Sequence, residues 1–165
     1  MKPLPPLKWY EHPTHADIDD VRRLVDATRV FAPIEVEVAG DLVEETCVAQ
    51  EDGYEFLFAR DDSGLAGYTC FGEIPLTEGR YDLYWIATHP RLQGIGLGEE
   101  LLRRSEACIV DAGGKIVYAE TSGKESYEPA RRFYLKNGYT EVSRVPNFYR
   151  KDDDKVTYAK VLAAD

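Results

Sequence analysis

Four stretches of the chain place hydrophobic residues at intervals of three and four, which is the spacing of one helix face. In the first stretch, Ile18 and Val21 belong to the apolar side, and Thr14 or Asp17 can cap the helix. The predicted helices lie within residues 15–31, from Pro33 to about 50, at 96–112 and at 128–136.

The second of these stretches also contains the alternation of a strand, at residues 34–38. We favour a helix because Pro33 suits the first helical turn and because Val38, Leu42 and Val43 follow helical steps. Gly40 weakens this prediction, since glycine is a poor residue for the interior of a helix.

Shorter runs rich in aromatic and β-branched residues predict strands. Two of them flank Asp61-Asp62-Ser63-Gly64, which has the composition of a hairpin turn. The predicted strands are residues 7–10, 54–60, 65–72, 82–88, 116–119, 139–149 and 155–162. The resulting order, β-α-α-β-β-β-α-β-α-β-β, predicts one α+β domain over residues 1–165, with a parallel βαβ unit around the third helix. Residues 1–6 carry three prolines and are expected to form a loose arm.

Three glycines at alternate positions, Gly94, Gly96 and Gly98, separate the predicted fourth strand from the third helix. A glycine-rich turn exposes backbone N–H groups at the positive end of a helix dipole, so it indicates an anion site and a phosphorylated ligand. The dinucleotide-binding pattern G-x-G-x-x-G is excluded because Glu99 takes the place of its third glycine. The phosphate loop of nucleotide triphosphatases is excluded because neither Gly-Lys pair precedes Ser or Thr.

Composition narrows the class of protein further. The formal net charge of −10 argues against a nucleic-acid partner, whose phosphates need a basic surface, and favours cationic amines. No apolar run has the length of a membrane span, and the N-terminus lacks the layout of a signal peptide, so we expect no membrane partner and a cytoplasmic location. The cysteines, Cys47, Cys70 and Cys108, are widely spaced and indicate core residues, with neither a metal site nor a disulfide framework.

Two segments carry a resemblance to a known family. The glycine turn, Arg91-Leu92-Gln93-Gly94-Ile95-Gly96, matches R/Q-x-x-G-x-G/A, and residues 130–139, ARRFYLKNGY, match A-x-x-F-Y-x-x-x-G-F/Y. With the order of elements, the chain resembles the GNAT superfamily of acyl-CoA-dependent N-acyltransferases over residues 15–163. The resemblance implies a mixed, mostly antiparallel central sheet of about seven strands, with helices on both faces and parallel fourth and fifth strands that splay apart.

The resemblance also implies acetyl-CoA as the cofactor and CoA as its product, with the pyrophosphate on the glycine turn and the pantetheine between the fourth and fifth strands. Ile86 and Thr88 are expected to offer main-chain groups to the pantetheine, and Arg91 to add charge near a phosphate. Tyr127 stands where many members have a cofactor-binding asparagine, and Phe133 is expected beside the cofactor. The expected phosphate cradle consists of Gln93, Gly94, Ile95, Gly96, Leu97 and Gly98.

For catalysis, Tyr134 matches the family tyrosine whose hydroxyl faces the cofactor sulfur, which implies a general acid. The base is expected to be Asp82 on the fourth strand or Glu120 at the end of the fifth, with His89 or a chain of water molecules as further alternatives. The predicted activity is direct transfer of an acetyl group to the primary amine of a small molecule, amino acid or peptide N-terminus. The alternative is a non-catalytic acyl-CoA-binding or regulatory module.

Three segments are expected to contact the acceptor, namely residues 31–38, 73–80 and 147–154. Aromatic residues near them are candidates for an acid-edged pocket, although most of them are expected to belong to the core, because half of the side chains of any strand face inward. These candidates are Tyr81, Tyr84, Trp85, Tyr127, Phe148 and Tyr149. Because family members often pair, a homodimer through the exposed last strand is expected as well.

Overall fold

The structure is a computed structural model that describes residues 2–49 and 53–165. Over these residues it contains four α-helices and seven β-strands in the predicted order. They are β1 (Lys8–Tyr10), α1 (His15–Ala27), α2 (Pro33–Ala49), β2 (Glu55–Asp61), β3 (Gly64–Glu73), β4 (Arg80–Thr88), α3 (Leu97–Asp111), β5 (Ile116–Ser122), α4 (Glu128–Lys136), β6 (Thr140–Arg150) and β7 (Asp153–Val161). Short 3₁₀ turns at Pro90–Leu92 and Glu125–Tyr127 precede α3 and α4.

The strands form one mixed sheet in the order β1-β2-β3-β4-β5-β7-β6. β4 and β5 are parallel from Arg80↔Ile116 to Leu83↔Ala119, and both strands continue beyond this last pair. The antiparallel pairs include β1 with β2, β2 with β3, β5 with β7, and β6 with β7. The predicted fold class is therefore confirmed.

The edge of the sheet differs from the prediction. The last strand, β7, pairs with β5 on one side and with β6 on the other, so it is not an edge strand. All eleven residues of β6 are exposed, and β6 ends the strand order. The expectation that the last strand offers an edge for dimerisation was wrong, because the chain inserts β7 between β5 and β6.

The described residues group into two compact units, of which the first comprises Met1–Gly72 and Trp85–Ser105. Its β3 is covered on both faces. Tyr68 and Cys70 pack into the core made with α1 and α2. On the other face, the Thr69 hydroxyl lies 2.6 Å from the Ser105 hydroxyl of α3, and a Cβ at Gly67 would lie 2.8 Å from Leu101. Helices therefore cover both faces of this strand, as predicted.

The second unit comprises Glu73–Tyr84 and Glu106–Asp165. Side chains alternate across its strands, and those on one face are buried beneath α4 and the second half of α3. The buried members of this face are Tyr81, Leu83, Val117, Ala119, Val156 and Tyr158. Tyr134 of α4 stacks on Tyr158 at 5.7 Å between ring centroids, which fixes α4 against this face.

The ambiguous stretch after Pro33 forms a helix, as favoured above. Gly40 has a packing reason there, because it is buried against α1 and a Cβ at this position would clash with the guanidinium of Arg22. The first helix is preceded by Thr14, whose backbone N–H donates to the carboxylate of Asp17 at 2.8 Å. Both expected capping residues therefore act at the start of α1.

Two strand ends differ from the prediction. β5 continues to Ser122, so Glu120 lies inside the strand and not at its end. β7 begins at Asp153, which is buried and accepts a hydrogen bond from the Ser122 hydroxyl, so the strand starts two residues earlier than predicted. These polar residues pair with each other inside the sheet, which a reading of hydrophobic runs does not detect. Within the described parts of the chain, no helix is long and apolar enough to cross a membrane.

Candidate active site

The glycine turn after β4 has a backbone that only glycine adopts freely at two positions. Gly94 has φ +75° and Gly96 has φ +89°, both in the left-handed region. A Cβ at either position would meet no heavy atom within 4 Å. The two glycines therefore leave open space beside the backbone, as a cradle for a ligand requires.

The first turn of α3 adds hydrogen-bond donors to this space. The carbonyl of Gly96 accepts from the N–H of Glu100 at 3.1 Å, so the helix begins directly after Gly96. The first N–H groups of a helix have no partner within it and lie at the positive end of its dipole. Leu97 is only 1% exposed and anchors this turn in the core, while Gln93 and Gly94 are exposed. The turn can therefore bind an anion through its backbone.

Arg91 lies at the entrance of the turn, but its guanidinium is engaged. It donates to both carboxylate oxygens of Asp61, at 2.6 and 2.8 Å, and holds the pKa of that carboxyl below its usual range. The neighbouring His89 accepts at Nδ1 from the N–H of Arg91, and its pKa is lowered by burial and by the Arg91 charge. This histidine is therefore neutral at pH 7 and positions the turn.

The second half of β4 leads into the turn. Ala87 packs into the core with α1 and α2, so its neighbours Ile86 and Thr88, both partly buried, face away from that core. The N–H of His89 donates to the carbonyl of Ala66 at 2.8 Å, which ties the end of β4 to β3.

The second matched segment forms α4 and places Tyr134 in an aromatic cluster. The Tyr134 ring lies 5.6 Å from Phe133, 5.4 Å from Tyr139 and 5.7 Å from Tyr158, measured between centroids. Burial raises the pKa of Tyr134 well above its ordinary value, so the phenol keeps its proton at neutral pH. Tyr127 precedes α4 at its N-cap position and is partly buried.

The two candidate bases lie on the other face of the second unit. Asp82 pairs with Tyr118 across the parallel strands, and Glu120 is two residues further along β5, so both carboxylates share one face. Burial raises the pKa of Asp82, and the charge of Glu120 raises it further. Because Tyr134 packs on the opposite face, the structure separates the expected acid from the expected bases by the thickness of the sheet.

Lys155 of β7 lies beside these carboxylates, and it was not among the site residues predicted from the sequence motifs. Its Nζ lies 3.8 Å from Oε1 of Glu120 and 4.2 Å from the centroid of the Phe148 ring. The alternation of β7 could have placed Lys155 and Thr157 on one face, but only the register with β5 shows that this is the face of Glu120.

The remaining aromatic candidates divide into core and surface. Tyr81 is buried, and Trp85 packs against Phe31 at 5.0 Å beside the α1 and α2 core. Tyr84 and Tyr149 are exposed, as is Phe148. The expectation that most of this set belongs to a core was wrong, because only Tyr81 and Trp85 of the six pack there.

Comparison with known proteins agrees with this geometry. The family described as "Acetyltransferase (GNAT) domain" matches residues 52–141. A solved GNAT-family structure from Desulfovibrio desulfuricans is 41% identical, with 96% of this chain and 100% of that chain covered and a TM-score of 0.92. No curated protein matches the chain in sequence.

Two more distant structures share the fold. An aminoglycoside 6'-N-acetyltransferase in complex with coenzyme A is 17% identical, covering 96% of this chain and 98% of that one, with a TM-score of 0.74. The protein yncA of Salmonella typhimurium, solved with its cofactor acetyl-CoA, is also 17% identical, covering 98% and 96%, with a TM-score of 0.74. The family match over more than half of the chain and the 41% identical relative show that the chain belongs to the GNAT family of acetyltransferases.

Proposed function

We propose that the chain is an N-acetyltransferase that uses acetyl-CoA and acetylates a primary amine of a small molecule, an amino acid or a peptide N-terminus by direct transfer. The observation that carries this proposal is the glycine turn, where Gly94 and Gly96 leave space open beside the N-terminus of α3. Residues of both compact units fall within the matched region, which supports a single acetyltransferase domain.

The cofactor supplies an acetyl group activated as a thioester. In this proposal, the backbone N–H groups of residues 93–98 bind its pyrophosphate, and the main chain at Ile86 and Thr88 binds the pantetheine. Phe133 and Tyr127 contribute contacts from the α4 side. Arg91 contributes charge only as far as its pairing with Asp61 allows.

The chain's own residues must move protons for the transfer. A protonated primary amine loses two protons when it becomes an amide, and one proton is needed at the departing sulfur. Tyr134 is suited to the second task, since burial keeps the proton on its Oη. Asp82 and Glu120 are suited to the first, because carboxylates accept protons and both lie on the more open face of the second unit.

The proposal is tested by incubating the purified protein with acetyl-CoA and a panel of amines while free thiol is measured. The panel includes polyamines, amino acids, aminoglycosides and short peptides with free N-termini. Thiol release above the rate without amine is expected for at least one class of amine, together with a product whose mass has increased by one acetyl group. Tight cofactor binding, shown by native mass spectrometry, together with no thiol release across the panel would favour the non-catalytic acyl-CoA-binding module instead.

A further inference from the structure

The two carboxylates on the open face do not have equal surroundings. The register pairs Ser122 with Lys155 and Glu120 with Thr157. Lys155 and Glu120 are therefore diagonal neighbours on the same face of two adjacent strands. The Lys155 side chain is 20% exposed, whereas that of Glu120 is 51% exposed. Lys155 is therefore held at the sheet and is not a freely solvated surface lysine.

A bulge in β6 positions the aromatic ring that contacts Lys155. The register changes from Val145↔Lys155 to Arg150↔Asp153, so residues 146–149 of β6 face a single residue, Asp154. The N–H of Asn147 donates to Oδ1 of Asp154 at 3.0 Å, which pins the bulge to β7. The bulge presents the Phe148 ring to the Lys155 ammonium at 4.2 Å, the geometry of a cation–π contact.

The charges of this cluster do not cancel. Asp82 and Glu120 carry two negative charges and Lys155 one positive charge, and the ammonium lies beside Glu120. The charged groups that face Asp82 are Glu120 from β5 and Lys155 from β7. Asp82 is thus a partly buried carboxylate without an ion-pair partner of its own among these three groups, and an approaching ammonium group would balance it.

We propose that Lys155 is a positioning residue that neutralises Glu120 and leaves Asp82 to accept the proton of a cationic acceptor amine. This inference rests on the proposed function and decides between its two candidate bases. The ammonium proton moves to a carboxylate oxygen of Asp82 on the open face. The neutral amine then passes beyond Leu83↔Ala119, where the pairing of β4 and β5 ends, towards the Tyr134 side, and its nitrogen lone pair forms the new C–N bond. The C–S bond breaks, the departing sulfur takes the Tyr134 proton, and the second nitrogen proton restores the phenol. Asp82 then releases its proton to solvent.

Substitution of the two neighbours should shift the proton affinity of Asp82 in opposite directions. Glu120→Gln removes a negative charge and lowers the pKa of Asp82, whereas Lys155→Met removes a positive charge and raises it. Lys155→Arg keeps the charge and restores the wild-type value. Lys8→Met, at an exposed lysine of β1 away from this cluster, is the matched control and leaves the pKa of Asp82 unchanged.

Two measurements detect these changes in the pKa of Asp82. The first is a titration of the Asp82 side-chain carboxyl by ¹³C NMR in the protein without cofactor, with the resonance assigned by its loss in Asp82→Asn. The second is the pH dependence of kcat/KM for a cationic amine, whose acidic limb should move with the NMR value. At pH 7, Asp82→Asn should lose roughly a hundredfold in kcat/KM, and Glu120→Gln less than about tenfold.

The outcomes separate this inference from the proposed function. The assignment of Asp82 as the base would be overturned if Asp82→Asn kept the wild-type kcat/KM, or if Glu120→Gln lost more kcat/KM than Asp82→Asn. Either result would leave the transferase activity of the wild-type protein intact. Equal or same-direction shifts in the two neighbour variants would overturn the role of Lys155. Opposite NMR shifts without acetyl transfer to any amine would refute the proposed function, and with it the proton transfer to Asp82.

Discussion

The glycine turn and the open face of the second unit are built in different ways. The turn consists of six consecutive residues, 93–98, and what it offers is backbone, shaped by the positive φ angles of Gly94 and Gly96. The open face consists of side chains from separate strands, with Asp82, Glu120 and Lys155 brought together by strand pairing. One region depends on local conformation, and the other depends on register across the sheet.

This difference predicts how each region responds to change. Backbone N–H groups do not titrate near neutral pH, so anion binding by the turn should vary little with pH. The open face works through carboxylates and an ammonium group, so its contribution should vary with pH and with the charge of each neighbour. Substitutions in the two regions should accordingly separate cofactor binding from catalytic rate.

The largest effect on cofactor binding is expected from Gly96→Ala. The substitution imposes φ +89° on a residue with a Cβ, and it places that Cβ in the open space proposed for the pyrophosphate. Affinity for CoA should fall by about 3 kcal/mol, roughly a hundredfold, through loss of charge-assisted hydrogen bonds. Isothermal titration calorimetry measures this directly.

Gly113→Ala is the matched control for that experiment. Gly113 has φ +90° at the other end of α3, and a Cβ there also meets no atom within 4 Å. The two variants therefore carry the same backbone strain, and thermal unfolding should show similar losses of stability. If both bound CoA with equal affinity, the phosphate cradle would have to lie elsewhere.

The second prediction concerns a loss of catalytic rate at unchanged cofactor affinity. Tyr134→Phe removes the proton donor while keeping the ring contacts to Tyr139 and Tyr158. We expect kcat to fall by roughly a hundredfold or more, with little change in CoA affinity. Tyr158→Phe is the control, because this ring belongs to the same stack and carries a hydroxyl of its own. Comparable losses in both variants would point to packing of the cluster as the cause.

Local patterns were sufficient to predict the turn and the helices. Gly94 and Gly96 precede α3, and Pro33 and Thr14 mark the starts of two other helices, so no distant contact was needed. The bounds of α4, Glu128–Lys136, agree with the predicted 128–136. Each of these features is determined within about one helical turn of sequence.

The open face could be predicted only in part, because it depends on which strands are neighbours. The alternation of a strand shows which side chains share a face, but not the partner strand or its register. The insertion of β7 between β5 and β6 brings Lys155 to Glu120 and moves the sheet edge to β6, and no local pattern contains this information. The bulge at residues 146–149 likewise becomes visible only from the register against β7.

The smallest effect is expected at Arg91, a charged side chain that lies at the glycine turn. Its guanidinium lies at the glycine turn but is committed to Asp61, so Arg91→Gln should weaken CoA binding only about threefold, the scale of an exposed ion pair. Asp61→Asn would release the guanidinium, and CoA affinity at low ionic strength should then rise, with the gain lost in high salt. Calorimetry of both variants at two salt concentrations checks this pair of expectations. A loss in Arg91→Gln as large as that in Gly96→Ala would show that side-chain charge, and not backbone, dominates binding at the turn.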